Sequence, residues 1–452
     1  MDNNDNETIL AEELQQSVKH DDMQAFRTAF FDLHPYDQAS FFTEQPKTVR
    51  LQVYTYLSPE ETADFIEHID LADIRPLVRE MDPRFAAMVI AEMATDDAVD
   101  ILNELEKDVV VSLLTIMDQK SSAAIKELLH YEEKTAGSIM TTEYIAIDES
   151  KTVNETMAYL RAEAPEAETI YYLYVVDEDK HIAGVLSLRD LIVAEADVRV
   201  DQLMNESIYA VSVAEDQEDV AQMIRDYDFL ALPVVDFQNH LLGIITVDDI
   251  LDVMHEEAGE DYSMLAGVSE MDRSKDGVLK SAKKRLPWLI ILLFLGMLTA
   301  SLIGQFEDAL EKVAVLAVFI PLIADMGGNT GTQALAIAVR GITTGEYGKQ
   351  GKMNLILRET GIGLINGLVC GPIIAVIVYF WHDNLVLGLL VGLSIASTLL
   401  VATLAGALVP LLMHRLHIDP AVASGPFITT INDIISIMIY FGMATLFMQY
   451  LI

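Results

Sequence analysis

The chain has 452 residues and a formal net charge of −41, although 52% of its residues are hydrophobic. Such an acidic balance disfavours nucleic acid and anionic lipid as partners and favours cations. The acidic N-terminus, MDNNDNETILAEELQQ, is unlike a secretory signal, and the single cysteine, Cys370, excludes an intrachain disulfide.

Charge and hydropathy divide the chain at Arg285. Up to this residue lie 61 of the 70 acidic and 23 of the 29 basic residues, so the first 285 residues carry −38 of the net −41. The remainder is nearly neutral and very apolar. The sequence therefore predicts a multidomain protein in which acidic cytosolic domains precede a membrane domain.

A twelve-residue repeat begins at residue 57, with units such as LSPEETADFIEH and MDPRFAAMVIAE. Ser-Pro, Asp-Pro and Thr-Asp openings are helix-start signals. The pattern predicts one short helix and turn per unit, so residues 1–136 should form an acidic α-helical domain whose repeats stack as a superhelix. A scaffold role and a sensing role both remain open. An apolar residue opens each unit and another follows eight positions later: Leu57, Ile69, Met81, Met93, Leu105 and Met117, then Phe65, Leu77, Val89, Ile101, Leu113 and Ile125.

Residues 137–256 contain an α/β pair. The segments AGVLSLRDLI (183–192) and LGIITVDDIL (242–251) are 59 residues apart, and each follows a strand and a turn. The pair resembles tandem CBS modules, at 137–198 and 199–256. In such modules the Gly-x-x-[Ser/Thr]-x-x-Asp motif often holds the ribose of an adenine nucleotide such as ATP. The resemblance implies Ser187, Asp190, Thr246 and Asp249 for that role; a pair that only docks and regulates is the alternative.

Residues 257–285 change from acidic to basic, which is the favourable order for a helix dipole, and they are predicted as a connecting helix. Residues 286–452 contain five apolar segments long enough to cross a hydrocarbon core of about 30 Å. The predicted fold of this part is an all-α bundle of five spans. The segments lie near 286–306, 313–339, 358–381, 385–413 and 421–451.

The loops between these spans agree with the positive-inside rule. Basic residues precede the first span, occupy the 340–358 loop and include Arg415 in the 414–419 loop, whereas the 382–384 loop has none. This pattern predicts an inner-membrane protein with cytoplasmic N-terminal domains and an external C-terminus.

Polar residues interrupt the second and fifth spans, in PLIADMGGNTGTQA (321–334) and GPFITTINDI (425–434). Non-helical backbone persists at membrane depth only where protein buries it or where it lines water. Because Pro321 removes a helix hydrogen bond, we expect a break there that frees carbonyl groups for a polar ligand. The side chains of Asp325, Asn329, Thr332 and Asn432 would join them.

Two intramembrane aspartates, Asp325 and Asp433, have no basic residue at a similar depth. An ionised Asp at the centre of a membrane helix costs about 2.5–3.5 kcal/mol or more, so its partner should be a cation. Protonated or capped aspartates are the alternative. All the candidate ligands are oxygens, which suits hard ions and particularly hydrated Mg²⁺.

The acidic repeat, the CBS pair and the two polar membrane segments together resemble the MgtE family of magnesium channels. The resemblance covers the whole chain. It implies a homodimer in the lipid bilayer, with a pore on the twofold axis lined by the second and fifth spans. It also implies that Asp433 forms the main site for hydrated Mg²⁺, and that Asp419 and the residues from Asn329 to Thr332 lie in the pore region.

The many cytosolic acids are expected to form a gate. Packed acidic faces repel, and bridging Mg²⁺ ions would relieve the repulsion, so intracellular Mg²⁺ would close the channel; a merely solvated acidic surface is the alternative. The resemblance implies bridging roles for nine acids and one carbonyl group: Asp97, Asp100, Asp216, Glu218, Asp228, Asp249, Asp252, Glu260, Asp261 and the carbonyl of Gly137.

Two other functions fit parts of the sequence. A secondary exchanger coupled to Na⁺ or H⁺ would also use broken spans, and a membrane-anchored nucleotide receptor would use the CBS pair but not the intramembrane aspartates. A soluble enzyme is disfavoured, because the sequence shows no Walker phosphate loop, no Ser-His-Asp arrangement and no clustered His or Cys ligands.

Overall fold

A computed structural model describes residues 13–268, 277–345 and 351–451 of the chain. These residues form two compact units, Met1–Val253 and Met254–Ile452. The first unit holds a series of short helices followed by two small sheets, and the second is a bundle of long helices.

In the first unit a short helix begins every twelve residues, and local caps explain the starts. Ser58 forms a capping box with Glu61, and the side chains of Asp82 and Asp118 accept hydrogen bonds from amides of the following turn. The repeat therefore begins three helices before residue 57, where the sequence placed its start. The helices are α1 (Met23–Phe31), α2 (Pro35–Glu44), α3 (Lys47–Tyr56), α4 (Pro59–Ile66), α5 (Leu71–Glu80), α6 (Pro83–Ala91), α7 (Thr95–Asn103), α8 (Lys107–Ile116) and α9 (Gln119–Leu128).

The apolar position eight residues after each opening lies in the core of this unit. All six predicted residues, from Phe65 to Ile125, are buried. Phe65 is fully buried and packs between two other aromatic rings, with centroids 5.1 Å from Phe42 and 5.5 Å from Phe30. Each helix thus contributes the same buried position to a continuous core.

The two predicted modules have the same sheet topology. Strand β1 (Ala146–Asp148) pairs in parallel with β2 (Tyr172–Val176), which pairs antiparallel with β3 (Ile182–Ser187). Strands β4 (Val211–Ser212), β5 (Ala231–Val235) and β6 (Leu241–Thr246) repeat this order, down to a register shift at the same place. The helices of the modules are α10 (Val153–Glu163), α11 (Leu188–Val193), α12 (Gln217–Tyr227) and α13 (Val247–Leu265).

The connecting segment differs from its prediction as one helix over 257–285. Helix α13 starts directly after β6 and ends at Leu265, because Gly267 adopts a positive φ of 75° that stops the helix. The next helix begins at Val278. Part of the predicted connecting helix, residues 269–276, lies outside the described residues.

The second unit contains five long helices, and four of them are long and apolar enough to cross a membrane. The fifth, α16, is 28 residues long, but its polar residues lower its hydropathy below that of a recognisable span. A count of five spans is therefore a proposal and not a finding. The helices are α14 (Val278–Gly304), the short α15 (Glu307–Lys312), α16 (Leu316–Thr343), α17 (Gly351–His382), α18 (Leu385–Arg415) and α19 (Gly425–Leu451).

The predicted break in the second span is wrong. Helix α16 runs without interruption through Pro321 and the glycines that follow. Pro321 is only the sixth residue of the helix, so the amide that it lacks would have bonded within the first two turns. Pro426 is the second residue of α19, where proline is tolerated. The polar residues of both segments are therefore helical side chains and do not mark unwound backbone.

Phe65 offers a direct test of the shared core. Replacing it with alanine should lower the free energy of unfolding of the first unit by about 3–5 kcal/mol, because a fully buried ring leaves a cavity. Phe237 is 92% exposed, so Phe237→Ala should change the free energy of unfolding by less than about 0.5 kcal/mol. Denaturant unfolding followed by hydrogen exchange of α4 measures both; equal effects would contradict the assignment.

Candidate cation sites

Three glycines of α16 receive polar side chains of α19. A Cβ at Gly328 would lie 2.7 Å from Cγ2 of Thr429, and one at Gly331 would lie 1.7 Å from Nδ2 of Asn432. One at Gly327 would lie 2.4 Å from Oγ of Ser436. These contacts explain why the segment is rich in glycine: it lets two helices approach closely, as small residues commonly do in membrane bundles.

Of the predicted polar residues of α16, Thr332 lies at this contact, whereas Asp325 and Asn329 do not. Asp325 and Asn329 are exposed, and because they are four residues apart they lie on one face of the helix. Thr332 is half-buried, and its hydroxyl donates to the carbonyl of Gly328 at 3.0 Å and lies 3.3 Å from the Thr429 hydroxyl. The exposed face of α16 thus carries a carboxylate and an amide.

On α19, Asp433 is half-buried and lies close enough to Asp325 for the two charges to interact. Among the described residues, neither aspartate has an ion-pair partner. The basic residues Arg340, Arg358 and Arg415 lie nearer to the ends of their helices. The geometry therefore brings two of the six predicted pore residues together as unneutralised acids.

Asn432 lies on a different face from Asp433. It is 1% exposed, and neither its Oδ1 nor its Nδ2 has a hydrogen-bond partner within the described part of the chain. Ser436, one turn further on, and Thr398 of α18 also have unpartnered hydroxyl groups. The structure thus places Asn432 between helices of the bundle, whereas Asp433 lies beside the exposed face.

Asp419 lies in the turn between α18 and α19. It is exposed and caps the turn at Pro420–Val422, with Oδ1 accepting from the Ala421 amide at 2.8 Å. Burial, followed by the charge of Asp419, raises the pKa of Asp261 at the end of α13 to about 6, although a hydrogen bond with Thr343 opposes the shift. Asp261 and Asp419 therefore form a second pair of mutually repelling acids.

The largest acidic cluster lies within the first unit, around the start of α7. Burial and then the charges of Glu67 and Asp249 raise the pKa of Asp97 to about 8. Burial, reinforced first by Asp249, also raises the pKa of Asp96 well above its usual value. Burial raises the pKa of Asp249 to about 6, against the hydrogen bonds from Thr246. These acids are crowded together, and within the described ranges no Lys or Arg forms an ion pair with them.

Two members of this cluster are exposed. Asp100 adds to the charge acting on Asp97, and Asp252 adds to that acting on Asp249. Glu67 and Glu168 also belong to the cluster, although the sequence did not indicate them. Glu67 is the second-last residue of a repeat unit, and Glu168 lies in a loop 71 positions from Asp97. Burial, and then the charge of Asp249, raises the pKa of Glu168. Only their position in three dimensions reveals these two acids.

The Gly137 segment lies beside the start of α12. The amide of Gly137 donates to the carbonyl of Val213 at 2.9 Å, and Asp216 caps α12 by accepting from the Glu218 amide at 2.9 Å. Asp228, by contrast, ends the same helix, in a left-handed conformation. Since α12 has eleven residues at about 1.5 Å each, one ion cannot contact both ends within one chain.

Glu260 lies on α13, one residue before Asp261, and is half-buried. No group of three or more His, Cys, Asp or Glu side chains in the described ranges is arranged to hold a metal ion. The predicted regulatory residues therefore lie in neighbouring acidic groups and do not form ready-made coordination shells.

The two nucleotide motifs differ in their surroundings. Ser187 caps α11 and donates to Asp190 at 2.6 Å, and both residues are accessible. Thr246 is buried and donates to Asp249, which belongs to the acidic cluster. A nucleotide phosphate would be repelled at the second motif and not at the first.

A bundle of apolar helices with carboxylates that have no ion pair among the described residues, joined to a repeated α/β pair, is the architecture of a membrane transport protein. Family comparisons agree: residues 320–443 match MgtE, described as a divalent cation transporter, residues 33–134 match its intracellular N domain, and residues 136–197 and 200–256 match CBS domains. The chain is 48% identical to the magnesium transporter MgtE of Enterococcus faecalis over 97% of both chains. The chain therefore belongs to the MgtE family.

Two further comparisons extend this result. The magnesium transporter MgtE of Bacillus subtilis is 40% identical over 94% of both chains. A crystal structure described as the cytosolic domain of the Mg²⁺ channel MgtE in complex with ATP is 39% identical, with a TM-score of 0.51. It covers 54% of this chain and 99% of its own.

The acidic cluster predicts a pH dependence of local stability. Because the pKa values of Glu67, Asp97 and Asp249 are raised in the folded state, to about 7, 8 and 6, the folded state holds protons more tightly than the unfolded chain. Stability present at acidic pH should be lost as the pH rises from about 5 to about 8. Hydrogen exchange of α7 in Mg²⁺-free buffer, corrected for the intrinsic rate, measures this loss.

Adding Mg²⁺ at pH 8 should restore the protection of α7, and Asp97→Asn should weaken the pH dependence. Helix α9 is the internal control. Protection of α7 that does not change with pH would show that these acids are solvated and do not repel one another.

Proposed function

We propose that the chain is a Mg²⁺-selective channel for magnesium uptake that closes when intracellular Mg²⁺ binds its acidic cytosolic domains. The observation that carries the proposal is the pair Asp325 and Asp433, two neighbouring carboxylates without a basic partner on helices of the membrane unit. A dication between them would offset the cost of holding two negative charges there. The names of the family members favour Mg²⁺ as that ion.

A homodimer follows from the exposed face of α16. Asp325 and Asn329 are exposed on the single chain, and lipid cannot solvate a carboxylate and an amide. A second copy facing this surface would enclose a polar path lined by α16 and α19. Two copies of Asp433 would then give the ion a compensating pair of charges. We place the C-terminus of each copy outside the cell.

Ligand chemistry supports a hydrated ion. Asp433, Asp325, Asn329 and Thr332 offer oxygen atoms, and the Thr332 hydroxyl is already used by the helix carbonyl of Gly328. A site with few charged ligands suits Mg²⁺ that keeps several of its water ligands, because this ion loses water reluctantly. Asp419 would meet the ion at the cytoplasmic end, and Asn432 would hold α19 against α16.

Closure by Mg²⁺ is supported by the crowding of cytosolic acids. Moving a gate from 1:99 to 99:1 requires about 5.5 kcal/mol of differential binding. If each ion contributes about 1–3 kcal/mol, several ions are needed. The separate groups around Asp97 and Asp249, around Gly137 and Asp216, and around Asp261 provide several places for them. Helix α13 carries acids of two of these groups, which makes it the lever of the gate.

We also propose that an adenine nucleotide binds the first CBS motif, with Ser187 and Asp190 at the ribose. The related cytosolic domain was crystallised with ATP, and the acidic surroundings of Thr246 and Asp249 oppose phosphate there. Asp190→Ala should therefore weaken ATP binding at least about tenfold, which corresponds to 1.4 kcal/mol. Thr246→Ala should change it little; calorimetry on the full chain measures both, and the reverse order would contradict the assignment.

Asp433 tests the pore. Asp433→Ala should lower Mg²⁺ flux into proteoliposomes at least about tenfold, since a lost charge contact is worth a few kcal/mol at about 1.4 kcal/mol per tenfold. Asp433→Glu should retain part of the flux, and Asp383→Ala, in the loop after α17, is the control. Planar-bilayer recording completes the test: a channel gives unitary Mg²⁺ currents, whereas a Na⁺- or H⁺-coupled exchanger gives flux that follows the gradient without unitary steps.

Glu260 and Asp261 test the gate. If Mg²⁺ bridges these acids in the closed state, the double change Glu260→Gln, Asp261→Asn should leave the channel open at high cytosolic Mg²⁺. If their repulsion alone drives opening, the same variant should stay closed without Mg²⁺, and the bridging proposal is lost. Asp201→Asn is the control, because Asp201 pairs with Arg199 at 2.8 Å. Open probability against cytosolic Mg²⁺ is the measurement.

A further inference from the structure

A basic cleft lies in the helical repeat, within a chain that is otherwise strongly acidic. Its volume is about 310 Å³, and it opens between α3 and α5. The lining side chains are Lys47, Arg75, Pro76, Arg79 and Glu80. Neither the pore nor the acidic clusters uses any of these residues.

The carboxylates around the cleft are already engaged. Both oxygens of Glu80 accept from Arg50, at 3.0 and 2.6 Å, and this pair is largely buried. Glu106 accepts from both Arg75, at 3.2 Å, and Arg79. Two guanidinium groups thus share one carboxylate, so Arg75, Arg79 and Glu106 together keep one net positive charge.

Lys47 adds a second uncompensated charge. It is exposed, and it forms no ion pair among the described residues. It is also the first residue of α3, and Pro46 before it provides no side-chain cap. Four cations, Lys47, Arg50, Arg75 and Arg79, therefore face two carboxylates, so the cleft carries a net charge of about +2, strengthened by the positive end of a helix.

We propose that this cleft is a binding site for a phosphate dianion, either free phosphate or the phosphate group of a mononucleotide. A phosphate group carries about −1.5 to −2 charges at neutral pH, which matches the excess positive charge of the cleft. Arginine forks and a lysine point charge are the side chains that bind phosphate oxygens best. The volume is at the lower end of the range for small-molecule sites.

The positions of the basic residues favour a ligand over a purely structural role. Arg50 and Glu80 are mostly buried and tie α3 to α5, which is a structural ion pair. Arg75 and Arg79, in contrast, are about half exposed, and Lys47 projects from the surface. In a protein with 70 acidic residues, a convergence of cations at one cleft is the place on the described surface where an anion would be attracted.

The test titrates the full-length protein, in maltoside micelles and Mg²⁺-free buffer, with inorganic phosphate followed by ³¹P NMR. Wild-type protein should bind phosphate saturably, and Lys47→Gln with Arg79→Gln should weaken binding at least about tenfold. Arg75 remains to pair with Glu106 in this variant, and Lys47→Gln alone, at an exposed helix start, leaves the fold intact. Arg84→Gln is the control, since Arg84 is an exposed base of the next repeat helix with no ion pair among the described residues.

A second arm uses AMP in place of phosphate. Tighter binding of AMP than of phosphate, retained in an Asp190→Ala variant and lost with Lys47→Gln and Arg79→Gln, would identify a nucleotide as the source of the phosphate group. Equal binding of both ligands would identify free phosphate. The proposal is overturned if wild-type protein shows no saturable binding, or if Asp190→Ala alone removes all binding, which would place the anion in the CBS pair.

Discussion

Repulsion between carboxylates that have no basic partner is the constraint on which both units of this protein depend. In the first unit the buried Asp96 lies beside the half-buried Asp97 and Asp249, and in the second Asp325 and Asp433 lie close enough for their charges to interact. Each group costs free energy that the protein alone does not recover. In the function proposed above, a divalent cation would offset that cost at both places, so the same interaction would serve transport in one unit and regulation in the other.

The helical repeat shows where sequence patterns suffice and where they do not. From residue 57 onward, apolar openings and Ser-Pro or Asp-Pro starts made the twelve-residue period visible, and the helices α4 to α9 confirm it. The three earlier units were missed because two of their opening positions are polar, Asp21 and Gln45. Both fit the fold: Gln45 is buried and donates to the carbonyl of Phe41, and Asp21 accepts from Tyr56. A hydrogen bond within its own helix at Gln45 and one to a residue 35 positions away at Asp21 replace the apolar contact, and the apolar repeat pattern does not report such bonds.

In the membrane unit the cation path stays a prediction, and the predicted backbone break is wrong. The polar residues of 321–334 indicated a cation path, yet the break expected at Pro321 is absent, since α16 continues through it. Glycines next to polar residues are ambiguous in a single sequence: they indicate either loose backbone or close helix contact. The contacts of Gly328 and Gly331 with Thr429 and Asn432 decide for close contact, and those partners are about 100 residues away. The same limit explains why Asn432 was grouped with Asp433, although adjacent residues of a helix face directions about 100° apart.

The composition of α16 also has a consequence for biogenesis. This helix is less apolar than the four other long helices of its unit, so lipid alone stabilises it less. Its glycines fit against α19, and α18 also packs on it, so the surfaces that shelter it are synthesised later. We therefore expect stable insertion of α16 to depend on helices that leave the ribosome after it. A truncation before α18 would then leave α16 outside the bilayer, even though every residue of that helix had been made.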